Sequence, residues 1–142
     1  MNKSLETIFI ALTLIVFLLM PTQAEEKTQI SAEAEDVITI EDGAIATTIE
    51  NRIPQRTAQR FPATVGTLYC FTKVVGAQTE TSITHIWYYQ DEKMTEVVLP
   101  VRSRYWRTWS SKKIIPQWKG PWRVEVTSKD GTMLKTITFT IE

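Results

Sequence analysis

With 142 residues, the chain has room for one domain and an extra segment; 16 basic against 16 acidic residues leave no bulk charge to attract nucleic acid or anionic lipid. Only a local patch can recruit an anion. One cysteine excludes an internal disulfide, and one histidine leaves too few ligands for a metal site.

The chain opens with Lys3 in a short polar stretch, followed by the uncharged apolar run Ile8 to Met20. That run is short for a bilayer span, which takes roughly 20 residues. Pro21-Thr22-Gln23-Ala24 adds a helix breaker and a small-residue cleavage pattern. Together they predict a secretory signal helix over residues 1–24, cleaved after Ala24. Left uncleaved, the same run would be a membrane anchor. Export predicts a periplasmic or secreted protein that meets the membrane only through this segment. Residues 25–36 are polar and acidic with almost nothing to bury, and predict a flexible linker.

The domain is expected over residues 37–142. Val37 to Ile40 starts a strand, Asp42-Gly43 reads as a tight turn, and Ile45 to Ile49 reads as the next strand. Ile53-Pro54 and Phe61-Pro62 bracket an irregular connection, because a residue before proline is pushed to extended geometry. Thr67 to Val75 is β-branched and aromatic throughout. Cys70 sits inside it as a small hydrophobe, which predicts a reduced monomer indifferent to reductant. Ile83 to Tyr89 is a further strand, with Trp87 as the core indole. Asp91-Glu92-Lys93 reads as a hairpin tip, and Met94 to Val101 as the returning strand, with Pro100 at its end or on a sheet edge.

Next come Arg102, Arg104, Tyr105, Trp106, Arg107, Trp109, Lys112 and Lys113, a dozen-residue stretch with five cations and no acid. A period of two puts Arg102, Arg104, Trp106, Thr108 and Ser110 on one face, and Tyr105, Arg107, Trp109 and Ser111 on the other. Each face carries an indole and a guanidinium, so alternation alone leaves open which is buried. Trp122-Arg123-Val124-Glu125-Val126 alternates cleanly, Asp130-Gly131 turns the chain, and Ile137, Phe139 and Ile141 line the last strand. Turn signals roughly every ten residues without a helical period predict an all-β, immunoglobulin-like antiparallel sandwich of about seven strands.

Four motifs carry a closer likeness: Phe61 to Thr72, His85 to Tyr89, Trp106 to Lys112 and Gly120 to Val126. In order and spacing, from about Ile45 to the C-terminus, they resemble the domain family DUF2914. The resemblance implies a bacterial, extracytoplasmic or membrane-associated domain of unknown function, and brings no catalytic residues with it.

Chemistry rests on the residues themselves. No nucleophile elbow, metal spacing, phosphate loop or cofactor fingerprint marks an active site, so no cofactor is expected. The reading is an exported, non-catalytic binding or accessory module. It would contact an envelope protein or acidic glycan through Arg102, Arg104, Trp106, Arg107, Trp109, Lys112 and Lys113, with His85 beside them. Indoles stack on sugar faces, and guanidinium groups fork onto carboxylates or phosphates. His85 has a second reading as a core histidine with a satisfied hydrogen bond. An enzyme with an unrecognised site and a purely structural domain, in which the arginine stems cover core tryptophans, are the alternatives.

Overall fold

The computed structural model describes residues 37–142, so the expected signal helix, its expected cleavage after Ala24 and the expected linker over 25–36 lie outside the described residues. Ten strands run through those residues, without a helix: β1 (Thr39–Ala46), β2 (Thr48–Glu50), β3 (Ile53–Gln55), β4 (Arg60–Phe61), β5 (Thr67–Val75), β6 (Thr81–Tyr89), β7 (Glu92–Val101), β8 (Tyr105–Lys113), β9 (Gly120–Ser128) and β10 (Met133–Ile141). Seven have eight to ten residues: β1 and β5 to β10. With the two-residue β4 they form two sheets, ordered β1-β5-β8 and β4-β10-β9-β6-β7. All their pairings are antiparallel except the two-residue contact of β4 with β10, which is parallel. The remaining pieces, β2 and β3, make a small hairpin. Three strands on one sheet and four long ones on the other, with the chain crossing between them, is an immunoglobulin-like order.

Alternation decides which side chains meet between the sheets. Leu68, Cys70, Thr72 and Val74 of β5 point inward, as do Ile83, His85 and Trp87 of β6 and Trp122, Val124 and Val126 of β9. The buried apolar residues fall into two clusters. One gathers around Trp87, Trp122 and Phe139, and the other around Val74, Ile83 and Val126. Between them lies a polar layer of Thr72, His85, Thr108 and Ser110. Cys70 is fully buried, and burial pushes its thiol pKa up. A thiol alkylating reagent should therefore leave the native chain unlabelled and modify it once urea unfolds it. Rapid labelling of the native chain would show that β5 opens at that point.

Two turns differ from the reading of the sequence. Asp42-Gly43 does not reverse the chain: β1 runs straight through it, with a bulge between Ile40 and Asp42. Gly43 instead gives room to side chains from β10, since a Cβ there would stand 2.8 Å from Cδ1 of Ile137, which would have to shift. The β6–β7 tip is Gln90-Asp91, with φ of 47° and 67°, and Glu92 already pairs with Tyr89. The β2–β3 tip uses the same geometry at Asn51 and Arg52, with φ of 50° and 62°. Both are two-residue turns of type I′, whose twist matches the right-handed twist of the strands and whose left-handed backbone normally draws glycine. Pro100 does lie on a sheet edge, because β7 is the last strand of its sheet.

Candidate functional site

The Trp-Arg stretch splits in two. Arg102, Ser103 and Arg104 form the connection from β7, and the strand proper begins at Tyr105. Arg102 and Arg104 are therefore not on a strand face with Trp106, although both are exposed. Among the described residues Arg102 makes an open ion pair with Glu80, at 3.6 Å, and no other. The double variant Arg102→Ala with Arg104→Ala should consequently melt within about 0.5 kcal/mol of the parent. A large loss in a thermal melt would give these arginines a bracing role.

Within β8 the even positions face the core. Trp106 packs against the Val74 cluster, Thr108 and Ser110 are buried, and Lys112 places its ammonium 5.1 Å from the centre of the Trp118 ring. The odd positions, Tyr105, Arg107, Trp109, Ser111 and Lys113, face outward. Trp106, Trp109 and Trp118 are all half-buried, so the aromatic side chain offered to solvent is Tyr105, at 70% exposure.

His85 leaves the candidate surface altogether. It is fully buried, with Nε2 3.1 Å from the Thr72 hydroxyl and Nδ1 2.7 Å from Ser110 Oγ. Trp87 Nε1–H donates to the same Ser110 oxygen at 3.0 Å, and Thr72 donates weakly to the Thr108 carbonyl at 3.5 Å. One tautomer satisfies every group. Trp87 donates to Ser110, Ser110 donates to Nδ1, Nε2–H donates to Thr72, and Thr72 donates to Thr108. The chain of bonds ties β6 to β5 and β8 across the sandwich. Burial lowers the histidine pKa to about 4, which keeps the ring neutral. Ser110 and His85 lie at the distance of a nucleophile and its base. Their hydrogen bonds are spent on core partners, and neither side chain reaches the surface.

The outer face of the β1-β5-β8 sheet is where cations gather. Arg107 of β8 stands directly opposite Lys73 of β5. Gly76 N–H donates to the Arg104 carbonyl and Ile114 N–H to the Gly66 carbonyl, which brackets the ladder. The even residues of β8 thus exchange hydrogen bonds with β5, and the odd ones turn their backbone groups to the free edge. Arg107–Lys73 is accordingly a non-hydrogen-bonded pair, the kind with the closer side chains. Like charges directly opposite each other destabilise a sheet. Glu41 offsets part of this by pairing with Lys73.

A third cation arrives from the β2–β3 hairpin, which lies against β1 and β5 on this face. Phe71 points outward from β5, yet is only 2% exposed here. At the hairpin tip, Arg52 donates from Nη2 to the Arg107 carbonyl at 3.1 Å, and its guanidinium lies 5.2 Å from the centre of the Trp106 ring. Neither Arg52 nor Arg107 pairs with a carboxylate among the described residues. Arg52, Lys73 and Arg107 line one cavity of about 470 Å³ with Ser103, Tyr105 and Trp106, and no acid is in its wall. An adjoining depression holds Glu41 and Asp42 beside the same three cations.

Sequence reasoning found Arg107 and missed Arg52 and Lys73. Arg52 is 55 residues from Arg107 along the chain, and only tertiary packing joins them. Its one local signal was Asn51-Arg52 between isoleucines, a hairpin tip without glycine.

Residues 80–141 match the model of a family described as a protein of unknown function, DUF2914. Over these residues, less than half of the chain, the sequence is similar to DUF2914. The DUF2914 stretch spans β6 to β10 and so holds Tyr105, Trp106, Arg107 and the Trp87–Ser110 bond. Three of the four motifs that carried the resemblance fall inside it; Phe61 to Thr72 lies ahead of it. Arg52 and Lys73 also precede it, so the cationic cavity joins the DUF2914 stretch to the first strands of the same sandwich. No curated protein matches the chain.

Proposed function

We propose that this chain is an exported, non-catalytic binding module that takes an anionic group of an envelope protein or glycan on the outer face of its three-stranded sheet. One observation carries the reading. Arg52, Lys73 and Arg107 converge on one cavity whose wall holds no acid, in a chain whose total charge is zero. Glu41 pairs with Lys73, but Arg52 and Arg107 have no carboxylate partner among the described residues, which leaves two guanidinium groups for an anion. Export follows from the apolar N-terminal run and its small-residue boundary. Compared with the sequence reading, the site keeps Trp106 and Arg107 and gains Arg52, Lys73 and Tyr105. Lys112 is turned toward Trp118, Lys113 and Trp109 lie farther along β8, and Arg102 and Arg104 flank Ser103 of the cavity wall without lining it.

Retention on immobilised polygalacturonate and polyglutamate across a salt series tests this. The parent chain should be held at low salt and released as salt rises, because exposed charges are screened within about 10 Å at 0.1 M. Arg52→Ala with Arg107→Ala should abolish retention, and Arg102→Ala with Arg104→Ala should only weaken it. Equal retention of the first double variant and the parent would overturn the reading.

A second reading is favoured by the Arg52–Arg107 hydrogen bond. It fills a carbonyl on the free edge of β8, and cations along such an edge discourage pairing with another chain. On that reading the cluster guards the sheet and binds nothing.

A further inference from the structure

We infer that the Arg52–Lys73–Arg107 cavity takes a sugar ring bearing one anionic substituent, a carboxylate or a phosphate, rather than an extended acidic peptide. The inference rests on the proposed binding role and names the ligand class of that site. Two features of the fold select it. First, an extended peptide would bind here by adding a strand to the free edge of β8, the ordinary route at an exposed sheet edge. That route is closed at mid-strand, since Arg52 already occupies the outward carbonyl of Arg107. Opening it would also pull the guanidinium off the Trp106 ring. A sugar acid needs no strand edge.

Second, the cavity pairs its cations with a flat aromatic side chain. Tyr105 lines the same wall and is left 70% exposed, two residues before Arg107 on the same face of β8. A phenol ring in that position offers an apolar face to the C–H side of a pyranose, while its hydroxyl stays in water. Arg107 and Arg52 would fork onto the anionic substituent and Lys73 would add a point charge. Arg52 takes its φ of 62° from the type I′ turn it shares with Asn51, which sets the side chain at the hairpin tip. A cavity of about 470 Å³ is in the range of small-molecule sites.

The test is calorimetric titration of the chain with glucuronate, glucose 6-phosphate, glucose and inorganic phosphate. The two sugar anions separate the carboxylate from the phosphate source. At least one should bind about tenfold or more tighter than both glucose and inorganic phosphate. Tyr105→Ala should weaken that sugar anion about tenfold and leave inorganic phosphate unchanged, whereas Arg107→Ala should abolish both. Inorganic phosphate binding as tightly as either sugar anion, with Tyr105→Ala silent, would reduce the cavity to a bare anion site and overturn the inference. Binding of polyglutamate without either sugar anion, lost in Arg52→Ala with Arg107→Ala, would also overturn it while the broader binding role stands. If none of these ligands nor either polyanion binds, both fall.

Discussion

Trp87→Ala should remove about 3–5 kcal/mol of stability, the loss typical of truncating a large buried aromatic residue. A domain of this size holds only about 5–15 kcal/mol in all, so the variant should melt far below the parent or fail to fold. The reason lies in the position of the ring. Trp87 is fully buried on β6, meets Phe139 edge-on at a centroid distance of 6.1 Å, and sits in the larger apolar cluster with Phe61, Leu68 and Ile141. Its indole N–H also anchors the polar layer through Ser110. Alanine would leave both a cavity and one hydrogen bond fewer at a hydroxyl already shared with His85. Trp87→Phe separates the two losses. It refills most of the volume but not the hydrogen bond, and should cost roughly 1–3 kcal/mol. A chemical denaturation series on both variants checks this, and an unchanged midpoint for Trp87→Ala would contradict the burial assigned to β6.

Acid should weaken the fold through His85. In the unfolded chain its pKa is near 6.5, and in the fold burial holds it at about 4. Above pH 6.5 both states carry neutral imidazole, and the histidine adds no pH dependence. As pH falls below 6.5 the unfolded state takes up a proton that the folded state refuses, so stability drops until the folded ring titrates near pH 4. Linkage puts the loss at about 3 kcal/mol by pH 4. The ring's hydrogen-bond partners are hydroxyls, Thr72 and Ser110, so no carboxylate is bonded to it that would rescue the cation. Urea denaturation at pH 7.5 and pH 4 measures the difference. His85→Gln should be less stable at neutral pH and should lose this share of the acid sensitivity. An equal acid loss in parent and variant would assign the effect to carboxylates instead.

How much of this was legible depended on whether local pattern or long-range packing decided the outcome. β5 is bounded by the same residues in sequence and structure, Thr67 and Val75, because its β-branched run has glycine just beyond each end. Trp87 in the core and Pro100 on an edge strand followed from strand order and the missing proline N–H. Asp42-Gly43 misled because its turn chemistry is local, whereas the packing of Ile137 against Gly43 is not. Gln90-Asp91 and Asn51-Arg52 were hard to see as hairpin tips because neither carries the glycine that left-handed turns favour. The faces of β8 were undecidable from alternation, since indoles and guanidinium groups occur at both parities. Two hydroxyl residues, Thr108 and Ser110, sit on its buried side; Ser110 bonds the histidine on β6, and Thr108 accepts from Thr72 through its carbonyl. The cationic cavity was half visible: Arg107 lay in an obvious basic run, while Lys73 looked like an ordinary strand residue and Arg52 like part of a loop.

The central claim is that the Arg52–Lys73–Arg107 cluster exists to bind an anion and not to support the sheet. Arg107→Ala tests it when the melting temperature and the affinity for polygalacturonate are measured on the same preparation. The substitution keeps the carbonyl that Arg52 bonds and removes the charge facing Lys73. The expected result is a stability equal to that of the parent within about 0.5 kcal/mol, or higher through relief of the cross-strand repulsion, together with lost binding. A variant that melts well below the parent and still binds with parental affinity would contradict the claim and leave the cluster as a guard of the β8 edge.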